Sequence, residues 1–407
     1  MKPTAKYLAS RFPTYGENNI FWFYIVSIFG HTWFMVANWL LFVLLFMNER
    51  DFALFESIAF GIGILVEIPS GAIADLLGKR KTLIAAYALQ VVGVTGFLFA
   101  SWGIGIIFLA NLLIVVSFAF QSGALEAIVY DSLLEKNKEK HYDEIIGKAH
   151  SLTTLSIVFA ATIGGLAWTY SVYAPWILTS LGFSVALLAS FKFVEPKIDS
   201  EVFTWKNFVA QNRRGFYYLF ISKFRKYTFA LVTLTGSFLM WEVGIIRVLM
   251  GRDFGYDGQT LSYLVAGSLL VSFFTSYRFN QIRKKLGNLK GYSAMLGFAG
   301  AAWLATGFIS GSMVLGAIVF TVLTVTGSLS ELWTSVILNE HVKSKDRATA
   351  ISTMSFLIQV PYVLVVVIYG NLVASNNAGI FYIVTGLILF VGLVTFYRAE
   401  SSSVKVT

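Results

Sequence analysis

The 407-residue chain contains no cysteine, which excludes disulfides, thiolate metal sites and cysteine nucleophiles and leaves the redox compartment unread. Charge is scarce too: 13% of residues are Asp, Glu, Lys or Arg, against 57% hydrophobic and 16% aromatic. A water-soluble domain with a polar surface cannot reach that balance, so most of the surface must face lipid. Histidine is limited to His31, His141, His150 and His341, at no metal-ligand spacing. HExxH, GxSxG and GxxxxGKS are missing. Neither an enzyme nor an ATP-driven machine is expected, and no metal or other cofactor.

What is present is a series of long apolar runs. Crossing a hydrocarbon core of ~30 Å takes roughly 20 apolar residues in a helix, and twelve such spans start near Ile20, Ala53, Thr82, Gly103, Ser151, Ala174, Tyr227, Leu261, Gly291, Ser312, Ala348 and Ala378. The opening MKPTAKYLASRFPTYGENNI is basic, but the apolar run behind it is too long for a signal-peptide core and has no small-residue cleavage site, so it reads as a retained span. Four connectors, SWG, SVYAP, SGS and SNN, are minimal and uncharged, which makes the spans they join antiparallel hairpins. Of the 31 Lys and Arg, all but Arg50, Arg247 and Arg252 fall in the termini and the alternate connectors. By the positive-inside rule both termini are cytoplasmic, and the net charge of +9 is a topology signal rather than a nucleic-acid surface.

The polar stretch 195–226 divides the chain. It sets Phe203, Trp205, Phe208, Phe216 and Tyr217 among Lys and Arg, the pattern of an interfacial amphipathic linker, with a partner-binding arm as the other reading. The expected organisation is a six-helix bundle over 1–194, a cytoplasmic linker over 195–226 and a second six-helix bundle over 227–407. SGALE at 122–126 in span 4 is echoed by TGSLSE at 326–331 in span 10, and Gly78 with its basic cluster by RKKLG at 283–287. Echoes at corresponding places suggest the internal repeats common in transporters.

At the end of span 2 the chain reads EIPSGAIADLLGKRKTL, with Gly71, Asp75, Gly78, Lys79, Arg80 and Lys81 spaced as GxxxDxxGKRK. Gly71 permits close helix approach, Asp75 sets a carboxylate at the membrane boundary and Gly78 allows a tight turn. This loop resembles the signature loop of the major facilitator superfamily. YDSL at 130–133, Glu195-Pro196 closing span 6 and NEHVKSKDRATAIS at 339–352 extend the resemblance along the whole chain, nearest to the drug/proton antiporter-like exporters. It implies an all-α integral membrane protein, twelve transmembrane helices in two pseudo-symmetric bundles, working by alternating access in a cell (inner) membrane. It also implies a conformational latch of Asp75, Lys79 and Asp131 around Gly71, Gly78 and Arg80, although the basic triplet has a plainer reading as a topology anchor. Span 5 keeps small residues at Ser156, Ala160, Ala161, Gly164 and Gly165, expected to pack closely on another helix, but lacks the Gly-Pro of the antiporter signature. Ala119 stands where the family carries a buried Arg on span 4.

Ionisable groups inside a membrane are expensive and are functional candidates by default. They are His31 on span 1, Glu67 on span 2, Glu126 on span 4, Glu242 on span 7 and Glu331 on span 10. The resemblance makes spans 1, 4, 7 and 10 line the central cavity, which singles out Glu126 and Glu331, then Glu242 and His31, as proton-coupling or substrate groups, with Asn38 and Gln121 as uncharged handles. Glu67 reads as a structural brace. Each Glu has a competing reading as a packing hydrogen bond, and His31 as a satisfied core histidine. Trp33, Phe34, Trp39 and Trp241 could wall a cavity for amphipathic solutes. The expected partners are thus the lipid bilayer, a small-molecule substrate and the proton, with no nucleic acid, and the expected activity is proton-coupled export of amphipathic compounds. A uniporter, an importer of a specific metabolite or a lipid-head-group translocator is the alternative, and a membrane receptor or assembly factor a third reading.

Overall fold

A computed structural model describes residues 14, 18–197, 213, 217, 219–220, 225–341 and 344–403. Within that range, side chains are not described at 68–69, 71–72, 75–76, 123, 143, 226, 339–341, 344–352 and 399–403. All regular structure among the described residues is helical. The amino-terminal half contains α1 (Asn18–Phe29), α2 (Trp39–Val43), α3 (Glu49–Leu77), α4 (Lys79–Gly96), α5 (Ile104–Leu134), α6 (Tyr142–Tyr170) and α7 (Ala174–Ser190). The other half contains α8 (Arg225–Glu242), α9 (Ile245–Asp253), α10 (Gly258–Tyr277), α11 (Phe279–Thr306), α12 (Met313–His341), α13 (Ser344–Ala374) and α14 (Ala378–Ser403).

These fourteen helices make the twelve expected spans because spans 1 and 7 are each built of two pieces, α1 with α2 and α8 with α9. By length and apolarity alone seven of the helices could cross a membrane, and the α8–α9 pair, bent by 71°, makes an eighth. Shortness removes α1 and α7 from that set. Large apolar side chains such as Leu65, Leu181, Leu188 and Leu364 are exposed, as lipid-facing positions must be, and Trp102, Tyr170 and Tyr277 stand exposed at helix ends, where amphipathic rings meet the interface.

Span 1 unwinds between Phe29 and Trp39 without a proline. His31 N–H bonds the Ile28 carbonyl instead of Ser27, so the Ser27 carbonyl loses its helical partner. Two side chains take its place: His31 donates from Nδ1 at 3.0 Å and Thr153 from Oγ1 at 3.1 Å. A lost helical bond in an apolar interior costs several kcal/mol unless it is replaced in this way. The unwound chain is then held by α6, since a Cβ on Gly164 would overlap the Phe34 carbonyl, and by α7, since one on Gly182 would overlap Thr32 Oγ1. Gly165, the second glycine of the pair, is also buried.

The chain forms two compact units, Met1–Val36 with Ala59–Phe203 and Ala37–Ile58 with Thr204–Thr407. The change of unit at Phe203 and Thr204 falls inside the stretch 195–226, and the short hairpin 37–58 groups with the carboxy-terminal spans. In the first unit Tyr24, Tyr87, Ile128, Leu133 and Phe193 belong to one buried core. Asn19 closes its end, donating to Ser132 Oγ and the Val194 carbonyl and accepting from the Val194 N–H. In the second unit Asp257 caps α10 by accepting from the Thr260 N–H at 2.8 Å while Thr260 Oγ1 returns the bond. Of the linker, Glu195 to Lys197 and a few isolated positions are described; its expected amphipathic face otherwise lies outside the described residues.

Gly164→Val should destabilise the protein by about 1–3 kcal/mol, the usual cost of overpacking a closed contact, whereas Gly147→Ala, facing open space, should be close to neutral. Thermal unfolding of both variants in detergent checks the contrast.

Candidate functional site

Span 7 breaks at Gly244, whose left-handed backbone (φ 105°) turns the chain between α8 and α9. A Cβ there would stand 2.8 Å from Trp39 Nε1 and in a strained conformation, so glycine is required twice over. The break sets Glu242, ending α8, and Arg247, in the first turns of α9, close enough for their charges to interact, and Glu331 of α12 feels Glu242 in turn. Three ionisable groups from two spans therefore converge. Arg247, which the sequence alone assigns to the far connector, is only 7% exposed, because the turn at Gly244 folds the start of α9 back into the unit. Glu242 and Glu331 are surface-accessible yet surrounded by protein atoms, as residues lining a recess are. Threonine contacts fix the two spans: Thr235 Oγ1 lies 3.2 Å from Thr334 Oγ1, and Trp241 Nε1 donates to Thr324 Oγ1 at 3.4 Å.

Of the four aromatics, Trp33, Phe34 and Trp39 are half-buried and Trp241 is buried, each with a ring partner. Trp33 stacks on Phe118 and meets Phe183 edge-on, Phe34 meets Phe159, Trp39 meets Phe52, and Trp241 meets Phe320 at 4.4 Å. Asn38 is fully buried in the second unit with its amide 3.4 Å from Ser262 Oγ. Gln121 is buried in the first unit and donates to Gln90 Oε1 at 3.2 Å. Glu126 is exposed and accepts from the Tyr142 hydroxyl at 3.2 Å. Glu67 is likewise exposed on α3. His31 is engaged with the Ser27 carbonyl, its ring donating to backbone.

The signature loop assembles in part. Lys79 Nζ meets Asp131 Oδ2 at 2.8 Å, with both side chains largely covered, while Asp75 and Gly71 lie outside the described side chains. Gly78 has φ 93° and supplies no side-chain cap to α4, so the helix needs an acceptor from elsewhere. Glu195 provides it: its two carboxylate oxygens accept from the Lys79 N–H at 2.7 Å and the Arg80 N–H at 2.8 Å, and Arg80 reaches the Phe191 carbonyl. The negative charge sits on the positive end of α4 and ties span 3 to the end of span 6. Sequence reasoning placed Glu195 only as the close of span 6; the signal for its role was a helix opening Gly-Lys-Arg-Lys without a capping side chain.

No protein-family model and no curated protein sequence matches the chain. Solved structures do match. A POT family transporter in complex with 5-aminolevulinic acid superposes with a TM-score of 0.76 at 12% identity, over 98% of each chain. The nucleoside transporter NupG gives 0.71 at 12% identity, over 94% of this chain and 98% of that one. This chain has the major facilitator fold. A bacterial homologue of the human lysosomal transporter Spinster, in an inward-facing and unoccupied conformation, agrees at a TM-score of 0.69 and 13% identity over 100% and 98% of the two chains. With twelve spans on this fold, the chain is a multi-pass membrane protein.

Glu195→Ala should remove the α4 cap and cost about 1–2 kcal/mol, read as a lower unfolding temperature in detergent. Asp131→Asn breaks the Lys79 pair but keeps the cap and should cost less.

Proposed function

We propose that this chain is a secondary transporter that moves a small amphipathic molecule by alternating access between the six-span halves 1–194 and 227–407, joined by the linker 195–226. It resides in the cell membrane with both termini in the cytoplasm, the side to which its Lys and Arg are biased. The observation that carries the proposal is the convergence of Glu242, Arg247 and Glu331 at a broken span, on a fold shared with solved transporters. Broken spans are where such folds place substrate and coupling-ion sites.

Two carboxylates facing one guanidinium carry a net charge of −1 when all are ionised, and one proton neutralises the set. Such coupled acids take up and release the proton as a group. We therefore assign the coupling step to the Glu242–Glu331 pair, with Arg247 holding the ionised form, and assign export as the direction. Glu126, which accepts from Tyr142, is a further proton-coupling or substrate group in this reading. Asp75, Lys79 and Asp131 latch the state closed to the cytoplasm, with Glu195 bracing the loop.

A second reading follows from the mixed signs of the cluster. Carboxylates beside an arginine also suit a zwitterion, and one of the structures this chain is similar to was crystallised with 5-aminolevulinic acid. Uptake of a specific polar metabolite is that alternative.

Protein in vesicles loaded with a pH-sensitive dye tests both. Amphipathic cations should trigger proton movement in the parent and not in Glu331→Gln, with Glu242→Gln reducing it at least tenfold, about 1.4 kcal/mol. Solute movement without protons, unchanged in both variants, would sink the coupling assignment; proton movement with zwitterions alone would favour uptake.

A further inference from the structure

The sequence candidates did not include Glu56. It lies on α3 in the hairpin that joins the carboxy-terminal unit, is only 4% exposed, and forms an electrostatic pair with the Tyr362 hydroxyl of α13. The surrounding seam is tight. Ser57 Oγ donates to the Val363 carbonyl at 2.6 Å, and Gly370 has no room for a Cβ because Ala53 fills it. At the rim, on the face opposite the termini, Arg252 of α9 binds Glu49 at 2.7 Å. Partial burial alone would push the Glu49 carboxyl up, but the Arg252 hydrogen bond and charge outweigh it and hold it below its usual value. The rim pair therefore stays ionised through the neutral range while the seam beneath it closes.

We propose that Glu56 is a proton-binding site loaded from the outer face: the 37–58 hairpin must leave α13 for that face to open, and Glu56 must be protonated for the seam to close. The proposal rests on the alternating-access reading above and goes beyond it, because it places a second proton away from the Glu242–Glu331 cluster. Opening the seam would bring Glu56 to outside water, where it ionises and hydrates freely. Closing it buries the carboxyl against an aromatic hydroxyl, and burying the charged form costs free energy that the proton removes. Proton binding and closure are then linked. Towards this face the other titratable or charged groups on the flanking elements are Tyr369 on α13, Arg247, Arg252 and Asp253 on α9, and Glu49, Arg50 and Asp51 at the start of α3; Lys345, Asp346 and Arg347 of α13 and Glu67 and Asp75 of α3 lie further along those helices. Of these Arg247 acts on Glu242, Arg252 on Glu49, and Tyr369 on Tyr382, which in turn reaches Asp253.

The cysteine-free chain permits a test that needs no substrate. Ser57→Cys places a thiol inside the seam, and its maleimide labelling rate in nanodiscs reports opening, normalised at each pH to Ser375→Cys in an exposed connector. The normalised rate should rise as pH is raised across neutrality, by up to about tenfold per pH unit, the limit for one proton. Glu56→Gln, which mimics the protonated form, should hold it low at every pH. A pH dependence unchanged by Glu56→Gln would overturn the proposal and leave alternating access standing, whereas a thiol that never labels at any pH would overturn both. Should the Gln variant not fold, Glu56→Asp keeps a titrating group and must keep a pH-dependent rate; its loss would count against Glu56.

Discussion

Inside a bilayer every backbone N–H and C=O must find a partner within the protein, and this single demand shapes the whole chain. Among the described residues most spans meet it largely within one helix, although Pro361 inside α13 supplies no N–H to the turn before it. Spans 1 and 7 do not, and each break is met by a different device. In span 1 the orphaned Ser27 carbonyl is taken by the side chains of His31 and Thr153. In span 7 a left-handed glycine turns the chain so sharply that α9 begins a new helix, its Val248 N–H bonding the Gly244 carbonyl. The two breaks both fall on the first span of a sequence half.

The positions of the breaks decide what the charged residues can do. His31 would be a plausible proton carrier in an intact helix. In the unwound segment its Nδ1 serves a carbonyl, which fixes the tautomer and ties the ring to the fold. Glu242 and Arg247 would stand more than one turn apart in a straight helix; the 71° bend between α8 and α9 lets their charges meet. A carboxylate that depends on a neighbouring guanidinium and a facing carboxylate responds to a proton as part of a group, so the bend is what converts a lone intramembrane acid into a coupled set.

Span count and element type were legible because apolar runs of the required length are set by bilayer thickness, which acts on each run separately. The breaks were not, since no proline marks either one, and a lone Gly30 or Gly244 among apolar residues looks like any packing glycine. The resemblance of the signature loop implied a network of Asp75, Lys79 and Asp131, of which the structure shows the Lys79–Asp131 ion pair. Glu195 was not legible, because its partners are backbone N–H groups 115 and 116 residues away, and an uncapped helix start shows that an acceptor is needed without showing which residue supplies it. Glu56 escaped for another reason: it sits near the start of span 2, where a carboxylate is ordinarily at the interface, and only the packing of α13 buries it.

That last difference carries a general point about charge in membrane chains. Depth along a span, which the sequence gives, sets the cost of a charge only when the residue faces lipid. When a second helix covers it, the cost is set by the contact, and a contact that opens and closes makes the cost switch. Glu49 and Glu56 are two turns apart on the same helix, yet the first is stabilised as an ion by Arg252 at the rim while the second is enclosed with Tyr362. One carboxylate thus favours closure in its charged form and the other in its neutral form, so the same seam closes best with the rim acid ionised and the inner acid protonated. A proton arriving from the outer face reaches Glu56 while the Glu49–Arg252 pair above it is still open, which puts loading of Glu56 ahead of the final closure of the rim.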